Sequence, residues 1–133
     1  PIRELGHVIT GKTPSTLKPE YFDGDIMFIM PSDIKNGYRV DISDRFITED
    51  GYQSILSNTL NGASVLTDCI GSDMGNVAFV EKRCATNQQI NAITNFRPDV
   101  NYLYIYYWLS IKKTYLRTIA GVTTTPILPK NVF

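Results

Sequence analysis

Apolar residues in this chain come mostly in short runs broken by glycine, proline or Asn/Asp turns, a spacing that predicts short strands over the first two-thirds of the sequence. Residues 10–19 read as a loop, with one glycine, two prolines and several hydroxyl side chains. The run 26–30 is continuously apolar and ends at Pro31-Ser32-Asp33, as a buried strand would. After the tight-turn pair Asn36-Gly37, Tyr38, Val40 and Ile42 alternate with Arg39, Asp41 and Ser43, which predicts a half-buried strand. A short helix is expected over 48–56 with Thr48 as its N-cap. Residues 63–70 and 77–80 flank the polar stretch Gly71-Ser72-Asp73-Met74-Gly75-Asn76, the pattern of a hairpin with a projecting tip, and a further strand is expected over 89–95. Pro98-Asp99 opens one long helix, roughly 100–118. On it Ser110, Lys113, Thr114 and Arg117 form a polar stripe, while the Tyr, Trp, Leu and Ile faces point inward.

Short strands with one long helix are the elements of a mixed α/β (α+β) fold, and composition supports one compact domain: 133 residues, 43% hydrophobic and 11% aromatic, allow a single core. The longest apolar run, 102–109, falls far short of the roughly 18 to 20 residues a bilayer needs, and no charged leader opens the chain, so neither a membrane segment nor secretion is expected. The start at Pro1 and the stop at Phe133 suggest a piece of something larger. Cys69 and Cys84 have no second Cys or His at ligand spacing, so reduced thiols in the cytoplasm are expected rather than zinc or a disulfide. Thirteen basic and thirteen acidic residues cancel, which weighs against a stand-alone DNA binder and asks partners to supply phosphate-neutralising charge.

Catalytic chemistry finds little to build on. His7 is the single histidine and lies in an apolar stretch without an evident partner, so a structural or surface role is expected. Asp41, Asp44, Glu49 and Asp50 alternate with turns and basic residues rather than converging on a metal. Neither the Asn/Asp-Pro-Pro-aromatic loop of adenine amino-methyltransferases nor a glycine-rich loop for a methyl donor occurs. No cofactor or metal is expected. The polar loops say more: 11–16, Lys35-Asn36, Ser72-Asp73, Asn87-Gln88-Gln89 and Thr123-Thr124-Thr125 carry short donors and acceptors suited to base edges and phosphates. Loops everywhere use such residues, so on composition alone a structural reading stands beside the DNA-binding one.

An ordered set of short motifs changes that balance. Leu5-Gly6, Gly11-Lys12-Thr13-Pro14-Ser15, Tyr21-Phe22-Asp23-Gly24-Asp25-Ile26 and Pro31-Ser32-Asp33-Ile34 are followed by Ile47-Thr48 with Gly51 and by the segment 65–75. Thr86-Asn87-Gln88, the Tyr-rich run 102–109 and Gly121-Val122-Thr123-Thr124 complete the series. Each is weak alone; in this order they resemble, over nearly the whole chain, a target-recognition domain of the specificity subunit of type I restriction-modification enzymes.

The resemblance implies a curved, mainly antiparallel sheet with a few helices, similar to the small DNA-reading domain of some adenine methyltransferases. It implies recognition of one half of a split double-stranded DNA target without catalysis. The implied partners are methyltransferase subunits, a restriction subunit and a second recognition domain in the full-length chain. The family continues past Asn131-Val132-Phe133 into a Pro-rich segment and a long coiled-coil helix, and the sequence stops short of both. Specificity in such a module should sit in loops on a rigid sheet. Lys35, Asn36, Tyr38, Arg39, Ser72, Asp73 and Asn76 are therefore the candidates for base contacts. Lys12, Thr13, Ser15, Thr16 and Lys18, with Thr123, Thr124 and Thr125, are the candidates for phosphate contacts. The motif residues themselves also have structural readings: Gly11, Gly24 and Gly71 as turns, Pro31 as a strand end, Asn87-Gln88 as partners of buried backbone. A nuclease or methyltransferase fragment, and a protein-interaction module docking through its Tyr-rich helix, are the competing functional readings.

Overall fold

A computed structural model describes residues 2–35, 37–71, 74–120 and 130. Its strands fall into two sheets where one was expected. The first has the order β1 (His7–Thr10), β9 (Ile90–Thr94), β6 (Ser64–Asp68), β7 (Val77–Val80), β3 (Tyr38–Arg39); the second has the order β4 (Arg45–Ile47), β2 (Phe22–Ile29), β8 (Cys84–Thr86), β5 (Thr59–Leu60). Every neighbouring pair is antiparallel except β3 with β7 and β2 with β8, so the mainly antiparallel mixed class holds.

Because successive side chains of a strand point to opposite faces, a fully buried strand needs cover on both sides. Three apolar layers supply it. Between the sheets, Leu66, Ala78, Val80, Ile90 and Ala92 of the first meet Met27, Ile29, Leu60 and Cys84 of the second. On the outer face of the first sheet, Val65, Val77, Phe79 and Ile93 pack under Ile105, Tyr106 and Leu109 of α3 (Tyr102–Ser110) and Leu116 of α4 (Lys113–Ala120). On the outer face of the second, Ile26, Phe28, Ile47 and Ala85 pack under Tyr52 of α2 (Glu49–Ser54) and the adjoining Ile55.

Several local signals act as the sequence predicts. Thr48 caps α2, its Oγ1 accepting the Gly51 N–H at 3.1 Å. The β6–β7 hairpin pairs Ser64 with Val80 through Thr67 with Val77. Pro31 ends β2 and opens the one-turn helix α1 (Pro31–Ile34), where the Asp33 carboxylate accepts the Met30 N–H at 2.8 Å and the Asp44 N–H at 3.2 Å.

Three further expectations fail for packing reasons, one of them the inward packing of all the apolar faces of 100–118, since Tyr104, Tyr107, Ile111 and Tyr115 stay exposed. The strand expected over 38–43 shrinks to Tyr38–Arg39, paired in parallel with β7; Val40 is buried but Ile42 remains 73% exposed, so the alternation breaks. Tyr38 is held at φ 80°, a conformation costing about 1–3 kcal/mol in a non-glycine residue, by edge-on contacts to Phe79 and Tyr106. The single helix expected over 100–118 is broken after Ser110, and a turn in which the Lys112 N–H reaches Leu109 O starts α4 in a new direction. No Gly or Pro marks that break in the sequence; burial of Leu116 in the cluster that holds Met74 decides it. The strand β8, only three residues long, is too short to leave a periodicity in the sequence.

Gly11 joins the two sheets. Its N–H donates to Ile90 O at 3.0 Å, and a Cβ on it would lie 2.1 Å from Asn87 O and 2.5 Å from Thr86 O, so the chain leaving β1 lies against the chain leaving β8. Gly11→Ala should therefore lower stability by roughly 1–3 kcal/mol or more, read as a fall in the urea midpoint at unchanged m-value.

Burial raises both thiols, Cys69 and Cys84, from 9.0 to about 12. The neutral thiols favour the folded state fully below pH 9, and this contribution is lost as the pH rises from 9 toward 12. A thiol reagent at pH 8 should label neither cysteine in the native protein and both in denaturant; rapid native labelling would contradict the burial.

Candidate nucleic-acid interface

The registers bring one set of strand ends together. The C-terminal ends of β1, β2, β6 and β8 and the N-terminal ends of β3, β7 and β9 lie on one side of the sheets, and backbone bonds tie them across. Asn87 N–H donates to Ile29 O at 3.1 Å, Cys69 N–H to Gln89 O at 2.9 Å, and Asn58 Nδ2 to Thr10 O at 3.0 Å. Segments leaving both sheets thus share this end: 11–14, 30–35, 69–71, 74–76 and 87–89.

Charge at this end is layered. Lys12, Lys35 and Lys113 are exposed and, among the described residues, make no ion pair. Two carboxylates there are engaged by backbone: Asp33 holds the backbone of Met30 and Asp44, and Asp68, 1% exposed, accepts the Ile70 N–H at 3.3 Å. Three guanidinium groups elsewhere are paired with acids: Arg39 with Asp41 at 2.8 Å, Arg83 with Glu49 at 3.0 Å, Arg97 with Asp99 at 3.1 Å. Among the described residues the loop end thus exposes three lysines without ion pairs and one carboxylate, Asp44, although the chain's formal net charge is zero.

The structure places the expected site residues unevenly. Lys12 and Thr13 lie at the loop end, Thr13 Oγ1 donating to Gln88 Oε1 at 2.9 Å. Lys35 follows α1 at the same end, Tyr38 opens β3 beside Ala78, and Asn76 precedes β7. Ser15, Thr16 and Lys18 are exposed on the loop that runs back to β2, and the Lys18 ammonium sits 5.5 Å above the Tyr21 ring, at the far end of that strand. Arg39 is turned away to Asp41 and Glu81. Asn36, Ser72, Asp73, Thr123, Thr124 and Thr125 lie outside the described residues.

Asn87 supports the backbone: 6% exposed, it accepts the Gln89 N–H on Oδ1 at 3.1 Å. Two further residues at this end stand out in the sequence only as part of a polar helical stripe. Lys113 donates to Asn76 Oδ1 at 2.8 Å and Arg117 to Met74 O at 3.2 Å. Their spacing of four on one helix is the available signal.

Away from the loops, a groove of about 780 Å³ runs between the N-terminal segment, α3 and α4, lined among others by Leu5, Tyr104, Trp108, Tyr115 and Ile119. Tyr104 is 69% and Tyr115 57% exposed. His7 is exposed at the start of β1. Among the described residues no group of three or more His, Cys, Asp or Glu could hold a metal, and no helix is long and apolar enough to cross a membrane.

A protein whose loops from two sandwiched sheets converge on one cationic end has the build of a recognition module on a rigid scaffold, and comparison with known proteins says which kind. The family model described as "Type I restriction modification DNA specificity domain" matches residues 1–133. The chain belongs to that family. It is 32% identical over 130 residues to the specificity subunit of the type I restriction enzyme MjaIX of Methanocaldococcus jannaschii, covering 96% of this chain and 30% of the relative. It is 30% identical over 137 residues to the corresponding HindI subunit of Haemophilus influenzae, covering 99% of this chain and 29% of the relative. The chain thus spans under a third of the length of these relatives.

Solved structures share the fold. The HsdS subunit from Thermoanaerobacter tengcongensis aligns with TM-score 0.65 at 15% identity, over 98% of this chain and 32% of that one. A structure described as the basis of "complex assembly and conformational transition of the type I R-M system" aligns with TM-score 0.69 at 14% identity, over 98% of this chain and 30% of that one.

Asn87→Ala should remove a partner from buried backbone and cost about 1–3 kcal/mol. A thermal unfolding midpoint equal to that of the parent would show the Gln89 N–H to be satisfied otherwise.

Proposed function

We propose that this domain reads one half of a bipartite DNA target within a type I restriction-modification enzyme and catalyses nothing itself. In this reading methyltransferase subunits modify adenine, a restriction subunit cleaves, and a second recognition domain of the full-length chain reads the other half, all in the cytoplasm. The observation that carries it is the convergence of loops from both sheets on one end that exposes Lys12, Lys35 and Lys113 beside the amides of Asn76 and Gln88, in a chain of the specificity-domain family. Lys12, Lys35, Tyr38 and Asn76 are the described candidates for DNA contact at that end. Thr13 joins them there, while Ser15, Thr16 and Lys18 would touch phosphates only where the duplex reaches along the 11–18 loop. Arg39 enters DNA contact only by leaving Asp41. Asn36, Ser72, Asp73, Thr123, Thr124 and Thr125 stay candidates by resemblance. The near-neutral charge leaves phosphate neutralisation largely to the partner subunits.

The protein-docking reading has its own support in the aromatic groove along α3 and α4, and the two uses are compatible because the groove and the loops occupy different faces.

The decisive measurement is selection from a random DNA library by the full subunit with its methyltransferase partners, comparing the native domain with one in which residues 35–39 and 72–76 are replaced. The expected result is a changed half-site with the other half preserved. An unchanged consensus would move reading elsewhere, and no sequence selection at all would favour protein docking as the sole function. Alanine at a base-contacting position should cost ~1–3 kcal/mol at a single base pair, whereas removing a phosphate-contacting lysine should weaken all sequences alike.

A further inference from the structure

The loop between β6 and β7 returns along α4. Gly75 N–H donates to Asp68 O at 2.8 Å and Asp68 N–H to Asn76 O at 3.0 Å, which closes the base of the loop. The returning limb, residues 74–76, then lies flat on the helix. Gly75 has φ +98°, and a Cβ on it would stand 2.7 Å from Lys113 Cγ and 3.3 Å from Lys113 O. Met74 is fully buried in the cluster that includes Leu116. Arg117 Nη1 donates to Met74 O at 3.2 Å, and Lys113 Nζ donates to Asn76 Oδ1 at 2.8 Å. Lys113 and Arg117 share a face of α4, and the break after Ser110 is what turns that face onto the loop.

From this geometry we infer that Lys113 and Arg117 are positioning residues for sequence reading: they fix the 74–76 limb so that Asn76 presents the N–H side of its amide to DNA. The inference rests on the DNA-reading function proposed above. Its chemistry follows from what a lysine can do. An ammonium has donors and no acceptor, so it engages Asn76 only through the carbonyl oxygen, and the amide N–H pair is turned away from α4. With one lone pair of Oδ1 taken by Lys113, Asn76 leads with its N–H pair. It suits acceptors on a major-groove edge, N7 or O6 of guanine, N7 of adenine or O4 of thymine, ahead of the paired donor-and-acceptor reading of adenine that a free asparagine makes. Arg117 holds the Met74 carbonyl, so the limb is fixed at two successive turns of one helix. The Lys113 ammonium is thereby committed to the loop rather than to a phosphate.

The test uses the full subunit with its methyltransferase partners and a random DNA library, comparing N76A, K113M, the double variant and K113R with the parent. N76A and K113M should each lose about tenfold preference at the same base pair. The double variant should lose no more than either single one, and K113R should restore the preference. The dependence of binding on salt should not change, and the thermal unfolding midpoints should stay within a few degrees of the parent. Three results would overturn the inference: K113M weakening all sequences alike with a salt slope about 1 shallower, which is a phosphate contact; K113M leaving the half-site intact while N76A alters it; or N76A leaving the half-site intact. Replacement of residues 35–39 and 72–76 in the same experiment separates the two levels. A half-site that responds to the replacement but not to K113M defeats the positioning role alone, and one that ignores the replacement defeats the reading function of these loops.

Discussion

Two polypeptide backbones cross at van der Waals contact where β1 and β8 end, and the arrangement of the loop end follows from that crossing. A side chain at Gly11 would occupy the space of Asn87 O and Thr86 O, so the absence of a Cβ lets the first sheet close onto the second. Gly11 N–H is satisfied by Ile90 O, Asn87 N–H by Ile29 O and Gln89 N–H by Asn87 Oδ1, so the buried backbone at the crossing is paired rather than desolvated at a loss. Separation of the sheets here would expose Leu66, Ile90 and Ile29 together and would part the loop 11–14, which leaves the first sheet, from residues 30–35, which leave the second.

Layering does the rest. Strands β6, β7, β8 and β9 are buried along their whole length, with apolar cover on both faces. Such strands tolerate little change, since any substitution meets packed neighbours on one side or the other. The loops at their ends carry no comparable constraint beyond a few anchoring groups: Asp33, Asn87 and the α4 cations. A scaffold of this kind separates what must stay from what is free to vary, and relatives at about 30% identity keep the family pattern over 96% and 99% of this chain.

Local signals were legible where one residue decides one bond or one turn: Thr48 as a cap, Pro31 as a strand end, the glycine-bounded stretch between β6 and β7. Signals failed where distant packing overrode a local pattern. Tyr38, Val40 and Ile42 alternate as a strand should, yet the aromatic contacts of Tyr38 and its parallel pairing with β7 spend the pattern after two residues. Residues 100–118 contain no helix breaker, and the turn at Ile111 and Lys112 exists because Leu116 finds Met74, which is 42 positions earlier in the chain. The division into two sheets was likewise invisible, since Gly11 shows in sequence as a turn residue and not as a point of contact with Asn87. For the interface, motif order pointed to the family while single-residue roles depended on which partner each side chain had already taken. Arg39 and Lys113 look equally available in sequence; one is turned to Asp41, the other to Asn76.

The pairing of Arg39, Arg83 and Arg97 with nearby carboxylates bears on how quickly the domain lets go of DNA. Grip on random sequence comes almost wholly from counterions released by unpaired cations, and here three of the six guanidinium groups are already paired with carboxylates within the fold. On the DNA-reading function proposed above, such a surface would dissociate rapidly from unmatched duplex and spend little time testing each site. A search along a genome would then be paced by the electropositive parts of whatever assembly carries the domain, with the domain contributing the decision to stop.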